Sequence, residues 1–136
     1  AEVLKGYLDD PEVFFVVSSD FCHWGSRFGY QPTAAASAEP RPIHEYIEAL
    51  DRQGMSLIEA GEPGAFATYL ATTRNTICGK NPIVLLLHTM RAATASLSVE
   101  FVKYAQSSAV RGFSEALARS GPVAVEAGQE LALKVD

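Results

Sequence analysis

Val13-Phe14-Phe15-Val16-Val17, followed without a break by Ser18-Ser19-Asp20-Phe21-Cys22-His23-Trp24-Gly25, is the stretch on which the fold turns. A continuous run of β-branched and aromatic residues predicts a central strand covered on both faces, as in the parallel sheets of α/β proteins. The run passes directly into a polar segment, and in open α/β sheets ligands bind beyond the carboxyl ends of the strands. Asp20 and His23 therefore fall where a site is expected. A carboxylate there can orient an imidazole, accept a proton or bind a cation, and an imidazole serves as acid, base or metal ligand near neutral pH. Taken alone, D-x-x-H is short and common; the plain alternative is that Asp20 caps a turn and His23 is a solvated loop residue. Phe21 and Trp24 flank the pair and favour a pocket, with Trp24 expected to be partly exposed as a rigid wall at its mouth.

Upstream, Val3, Leu4, Tyr7 and Leu8 repeat at helical spacing until Asp9-Asp10-Pro11 ends the pattern. The chain begins at Ala1, without a Met, and enters this helix-like stretch and a core-type strand at once, as a fragment of a longer protein or a processed chain would. Downstream, Gln31 to Pro40 contains only small and turn-forming residues and predicts an exposed loop. Ile43, Ile47, Leu50 and Ile58 line one helical face, with Gly54 marking a break or a close approach. Glu62-Pro63-Gly64 opens a second helix, with Phe66, Tyr69 and Leu70 inward. Asn81 is the expected N-cap and Pro82 a first-turn residue of a third helix, with Ile83, Leu86, Leu87 and Met90 as its apolar stripe. Leu97, Val99 and Phe101 alternate as a strand running towards Tyr104-Ala105-Gln106-Ser107-Ser108. The end is β-like too: Val123 and Val125, a turn near Gly128, then Leu131, Leu133 and Val135. No linker is long enough to separate two domains, so residues 1–136 are read as one domain.

Composition narrows the function classes. Apolar residues make up 48% and charged residues 20%, which excludes long-range disorder. The net charge of -5 and the scattered basic residues argue against a nucleic-acid surface. The longest apolar run, Ile83 to Leu87, is too short to cross a bilayer. Two cysteines are too few for a disulfide framework, so a reducing compartment is the default. Both are expected to be buried or half-buried, the ordinary state of a lone cysteine being a small core hydrophobe. Cys78 differs in lying in Asn75-Thr76-Ile77-Cys78-Gly79-Lys80-Asn81-Pro82, a polar loop entering a helix start, where backbone N–H groups favour a thiolate. His44 and His88 sit within helical patterns as surface or packing residues. Tyr104, Ser107 and Ser108 end a strand and either face the same pocket or are ordinary strand-end polar groups.

Taken together, the motif from Ser18 to Gly25, the motif Asn75-Thr76-Ile77-Cys78-Gly79 followed by Pro82-Ile83, and Tyr104-Ala105-Gln106-Ser107-Ser108 resemble the Memo family. Ile47-Glu48, Leu50-Asp51 and Gly54-Met55-Ser56 fit in the same order, and the Ser-Ser-Asp-Phe-Cys-His-Trp form is similar to the eukaryotic branch. The resemblance implies a three-layer α/β/α fold with a mixed sheet, like class III extradiol dioxygenases, of which this chain supplies only the C-terminal portion. It implies a non-haem copper or iron pocket, in which Asp20, His23 and Cys78 are the residues carried over. His23 and Asp20 take acid/base and orienting roles, Cys78 and His23 metal ligation, and Phe21, Trp24, Tyr104 and Ser107 line the pocket. Two further histidines of the family's pocket belong to motifs upstream of this chain, so the site expected here is incomplete. A 136-residue chain of this kind is then expected to bind copper or iron poorly and to aggregate through uncovered apolar surface.

The functions implied are redox control and the relay of receptor tyrosine kinase signals to the cytoskeleton in cell motility, in the cytoplasm and also the nucleus. No settled reaction comes with the resemblance. The other readings are a non-catalytic adaptor binding a phosphotyrosine-type peptide or a signalling protein, and an active metal-dependent dioxygenase-type enzyme. Fold alone does not choose among them.

Overall fold

The structure, a computed structural model, describes residues 1–32, 41–110 and 125–135, the last as backbone. The Ala-rich stretch at 33–38 and Val123 lie outside the described residues. Helix α1 (Lys5–Leu8) is a single turn that ends before Asp9. The Asp9 carboxylate then accepts the N–H groups of Thr94 (3.2 Å) and Ala95 (2.9 Å). This fastens the start of the chain to residues 94–95.

Helix α2 (Ile43–Glu59) buries Ile43, Ile47, Leu50 and Ile58, the face its spacing predicts. Gly54 does not break it. A Cβ there would lie 3.0–3.1 Å from the Tyr69 ring, and Tyr69 Oη donates to the Leu50 carbonyl at 2.9 Å. The glycine lets α3 (Pro63–Thr73) lie directly on α2. Helix α3 ends at Arg74, in the left-handed region at φ 55°, whose N–H returns to the Leu70 carbonyl. Helix α4 (Lys80–Ala92) starts two residues earlier than expected, with Gly79 and not Asn81 as its N-cap; Pro82 stays in the first turn, where a missing N–H costs little. Ile83, Leu86 and Leu87 face inward.

Three strands form one sheet in the order β1 (Asp20–Trp24), β3 (Val125–Val135), β2 (Leu97–Gln106). Every pairing is antiparallel. Helix α2 packs on β1 and β2, and Phe21 meets Phe101 edge to face with centroids 5.9 Å apart. The chain is thus α/β in the broad sense of helices on a sheet.

Two expectations are corrected. The turn near Gly128 is absent, because β3 runs straight through that residue, pairing it with Asp20 on one side and Ala105 on the other. Residues 13–17 belong to no strand among the described residues. Their burial alternates. Val13, Phe15 and Val17 turn partly inward, while Phe14 and Val16 are each 89% exposed. An all-apolar run is covered on both faces only if elements lie on both; here one face has a described neighbour and the other has none.

Candidate metal centre

The polar motif is not a loop beyond a strand; it is strand β1 itself. In a regular strand, residues three apart point to opposite faces. Between Asp20 and His23 the ladder slips: Asp20 pairs with Gly128 and His23 with Glu126, so three steps on β1 oppose two on β3. That extra residue is a β-bulge, and it restores Asp20 and His23 to one side. Phe21 and Cys22, consecutive in sequence, are both buried as a result.

Residues 75–79 run alongside β1 and bring Cys78 to the same face. Thr76 Oγ1 accepts the His23 N–H (2.8 Å) and donates to the His23 carbonyl (2.9 Å). The Cys78 N–H donates to the Asp20 carbonyl (3.1 Å), and the Asp20 N–H donates to Cys78 Sγ (3.0 Å). The Gly79 N–H donates to Ser19 Oγ (3.1 Å). Asn75, Ile77 and Gly79 face inward, so Thr76 and Cys78 face outward. Cys78, expected to be at least half-buried, is exposed for this reason, and the core position beside it is taken by Ile77.

The ligating atoms of Asp20, His23 and Cys78 all lie within 4.8 Å of one another. His23 is half-buried against the Phe28 ring, centroids 5.0 Å apart. Its Nδ1 is buried and has no hydrogen-bond partner among the described residues. Carboxylate, imidazole and thiol make a mixed O/N/S set that suits copper, iron or zinc. An orphaned buried ring nitrogen beside such a set fits a metal pocket, since buried polar atoms are otherwise almost always paired.

The expected pocket-lining residues go elsewhere. Trp24 is fully buried, not at a pocket mouth, and its Nε1–H donates to the Pro32 carbonyl at 3.0 Å. It lies on β1 one position after His23, and adjacent strand residues face apart. Phe21 lines a separate apolar cavity of about 250 Å³ with Phe15, Val17, Ile83, Leu87 and Phe101. Ser107 is exposed just beyond the end of β2. Tyr104 joins a buried network around Asp51. His44 packs, its backbone N–H and ring Nδ1 both meeting the Val110 carbonyl, and His88 is exposed on α4.

Sequence reasoning missed Asp51. It is fully buried in the middle of α2. Oδ1 accepts the Cys22 N–H (3.3 Å) and an Asn75 Nδ2–H (2.9 Å), and Oδ2 accepts the Tyr104 hydroxyl (3.1 Å). Asn75 also donates to Tyr69 Oη at 2.7 Å. Burial pushes the Asp51 carboxyl up to about 6, against the lowering effect of its hydrogen bonds. Burial likewise pushes up the Cys22 thiol and the Tyr69 and Tyr104 phenols, and the Asp51 charge adds to each shift. Cys22 is thus a protonated core residue. A signal was available: Asp51 is the one charge on the apolar face of α2, four residues from both Ile47 and Met55.

Helices packed on a sheet, with Asp, His and Cys gathered at its edge, define an α/β protein with a candidate transition-metal centre. The family profile described as Memo-like protein matches residues 1–119. The chain belongs to the Memo family. It is 46% identical over 113 residues to Protein memo-1 homolog of Caenorhabditis elegans, covering 80% of this chain and 32% of that protein. It is 44% identical over 117 residues to Protein MEMO1 of Homo sapiens, covering 84% of this chain and 38% of the relative, and 40% identical to that of Danio rerio. The chain thus spans about a third of the length of these relatives. No helix among the described residues is long and apolar enough to cross a membrane.

Proposed function

We propose that this chain contributes the Asp–His–Cys side of a non-haem copper or iron pocket in a Memo-family protein. The whole protein, on this reading, acts in redox control and relays receptor tyrosine kinase signals to the cytoskeleton, working in the cytoplasm and nucleus. Its remaining length completes a three-layer α/β/α fold with a mixed sheet, supplies further histidines and covers the open face at Phe14 and Val16. The observation that carries the reading is the convergence of three different donors within 4.8 Å, although Cys78 is 58 positions from Asp20.

Cys78 and His23 are the proposed ligands, and Asp20 orients the imidazole and takes or returns its proton. Thr76 holds the His23 backbone from both sides, and the Asp20 N–H fixes the direction of the Cys78 sulfur. A bound copper or iron would supply one-electron redox chemistry. The test is to load the full-length protein anaerobically with Cu(I) or Fe(II) and measure metal after desalting. One metal per chain, lost at least tenfold on Cys78→Ala or His23→Ala, is expected. Retention that ignores both substitutions refutes the ligand assignment. The 136-residue chain alone is expected to retain little metal, since tight sites need three or four placed ligands.

A further inference from the structure

We infer that Asp51, which lies outside the proposed ligand set, is the positioning residue of the metal pocket, because it ties the strand bearing His23 to the loop bearing Cys78. The inference rests on the metal-site reading for its consequence, though not for its geometry. The three groups that Asp51 binds come from three different segments. The Cys22 N–H belongs to β1, one residue before His23. The Asn75 amide opens the segment that delivers Cys78 three residues later. The Tyr104 hydroxyl belongs to β2, and Gln106 Nε2 joins that hydroxyl (2.9 Å) to the His44 carbonyl (2.9 Å).

A fully buried carboxylate is an expensive way to join segments unless its exact acceptor geometry is needed. No cation faces Asp51 among the hydrogen bonds described; the Arg52 guanidinium lies over the Tyr104 ring at 5.2 Å. Both carboxylate oxygens are spent on neutral donors. A leucine would fill this position of an apolar helix face without holding Asn75. Asp51→Asn leaves one acceptor oxygen for the donors from Cys22, Asn75 and Tyr104, which weakens the hold on the start of the Cys78 segment that Tyr69 Oη, Thr73 Oγ1 and the Thr76 clasp otherwise share. The Cys78 sulfur should then move relative to Asp20 and His23.

The experiment uses the full-length protein with Asp51→Asn, Asp51→Glu and, as a milder change, Tyr104→Phe, which removes the donor to Oδ2 and the acceptor for Gln106 Nε2 while leaving the Oδ1 bonds in place. Leu50→Ala serves as a control for loss of stability on the same helix. Two quantities are read: the alkylation rate of Cys78 by iodoacetamide in metal-free protein, located by peptide mapping, and Cu(I) affinity by competition with a chromophoric chelator. Asp51→Asn should raise the alkylation rate at least threefold and weaken Cu(I) binding 10- to 100-fold, the usual range for groups that orient ligands. Tyr104→Phe should shift both in the same direction by less, and Asp51→Glu should restore part of the loss. If Asp51→Asn does not fold, Tyr104→Phe carries the test. Wild-type alkylation and affinity in the folded variants, or equal changes in Leu50→Ala, would overturn the inference. A wild-type protein that binds no Cu(I) yet shows the alkylation change keeps the positioning role and removes the metal reading.

Discussion

Gly79→Ala is the sharpest probe of how the Cys78 segment is seated. Gly79 has φ −88° and ψ 17°, a conformation open to any residue, so backbone strain does not demand glycine there. Space does. An added Cβ would sit 2.4 Å from Ser19 Cβ, 2.6 Å from Ser19 Oγ and 2.7 Å from the Ser18 carbonyl oxygen. Carbon–carbon contact is comfortable at about 3.5–4 Å, so the methyl is about 1 Å too close. One of its neighbours is backbone and cannot rotate away. Overpacking of this kind costs about 1–3 kcal/mol, and the Gly79 N–H bond to Ser19 Oγ contributes about 1 kcal/mol more if it breaks. A destabilisation of about 2–4 kcal/mol is expected by urea unfolding with an unchanged slope, together with faster Cys78 alkylation. Ser19→Gly removes two of the three clashing atoms, so the double variant should recover about half of the loss, a coupling that a double-mutant cycle measures directly. A Gly79→Ala protein within about 0.5 kcal/mol of wild type would refute the close approach of residues 75–79 to β1.

Asp51 gives stability a pH dependence of definite sign. Its folded value of about 6 lies above the ordinary 3.8, so between these the folded state binds the extra proton and the ionised residue costs about 3 kcal/mol above pH 6. Lowering the pH from 7 to 4 should therefore stabilise wild type relative to Asp51→Asn; a stability difference that stays flat across that window refutes the buried-acid assignment. Arg74→Gly should stabilise by up to about 1 kcal/mol, because the left-handed C-cap at φ 55° strains a residue with a Cβ, and glycine's looser unfolded chain returns part of the gain. A lower melting temperature would show that the arginine side chain contributes more than its backbone strain. Tyr69→Phe removes the donor to the Leu50 carbonyl and the acceptor for Asn75, so it should cost about 1–3 kcal/mol in chemical unfolding, with an unchanged midpoint as the contrary result.

The helices were legible because each solves a local problem. Ile43, Ile47, Leu50 and Ile58 describe one face without reference to the rest of the chain, and Pro63 announces its own helix start. The alternation in Leu97, Val99 and Phe101 did the same for β2. The three donors were legible only as members of motifs, and the geometry that joins them was not. A bulge leaves no composition signal, and the partner that defines it, Glu126 to Gly128, lies more than a hundred positions away. Trp24 misled because a large aromatic beside polar residues was read by proximity in sequence, whereas strand alternation sends it into the core. Residues 13–17 misled for the opposite reason: a wholly apolar run reads as burial on two faces, and among the described residues only one face has a neighbour.

The bulge in β1 also ties spelling to shape. An unbulged strand would place an acid and a histidine on one face from the spelling D-x-H, whereas this strand needs D-x-x-H. Loss of a single codon between Asp20 and His23 would thus shorten the spelling and let the ladder close without a slip. The two donors would stay side by side, and the next residues would keep their facing. Loss of a codon just upstream of Asp20 would instead drag Ser18 and Ser19 out of register with Gly79 and leave the bulge intact. A one-residue deletion inside the motif therefore keeps the two donors on one face but removes a buried residue, Phe21 or Cys22, whereas one at its border keeps those residues and loses the register with Gly79.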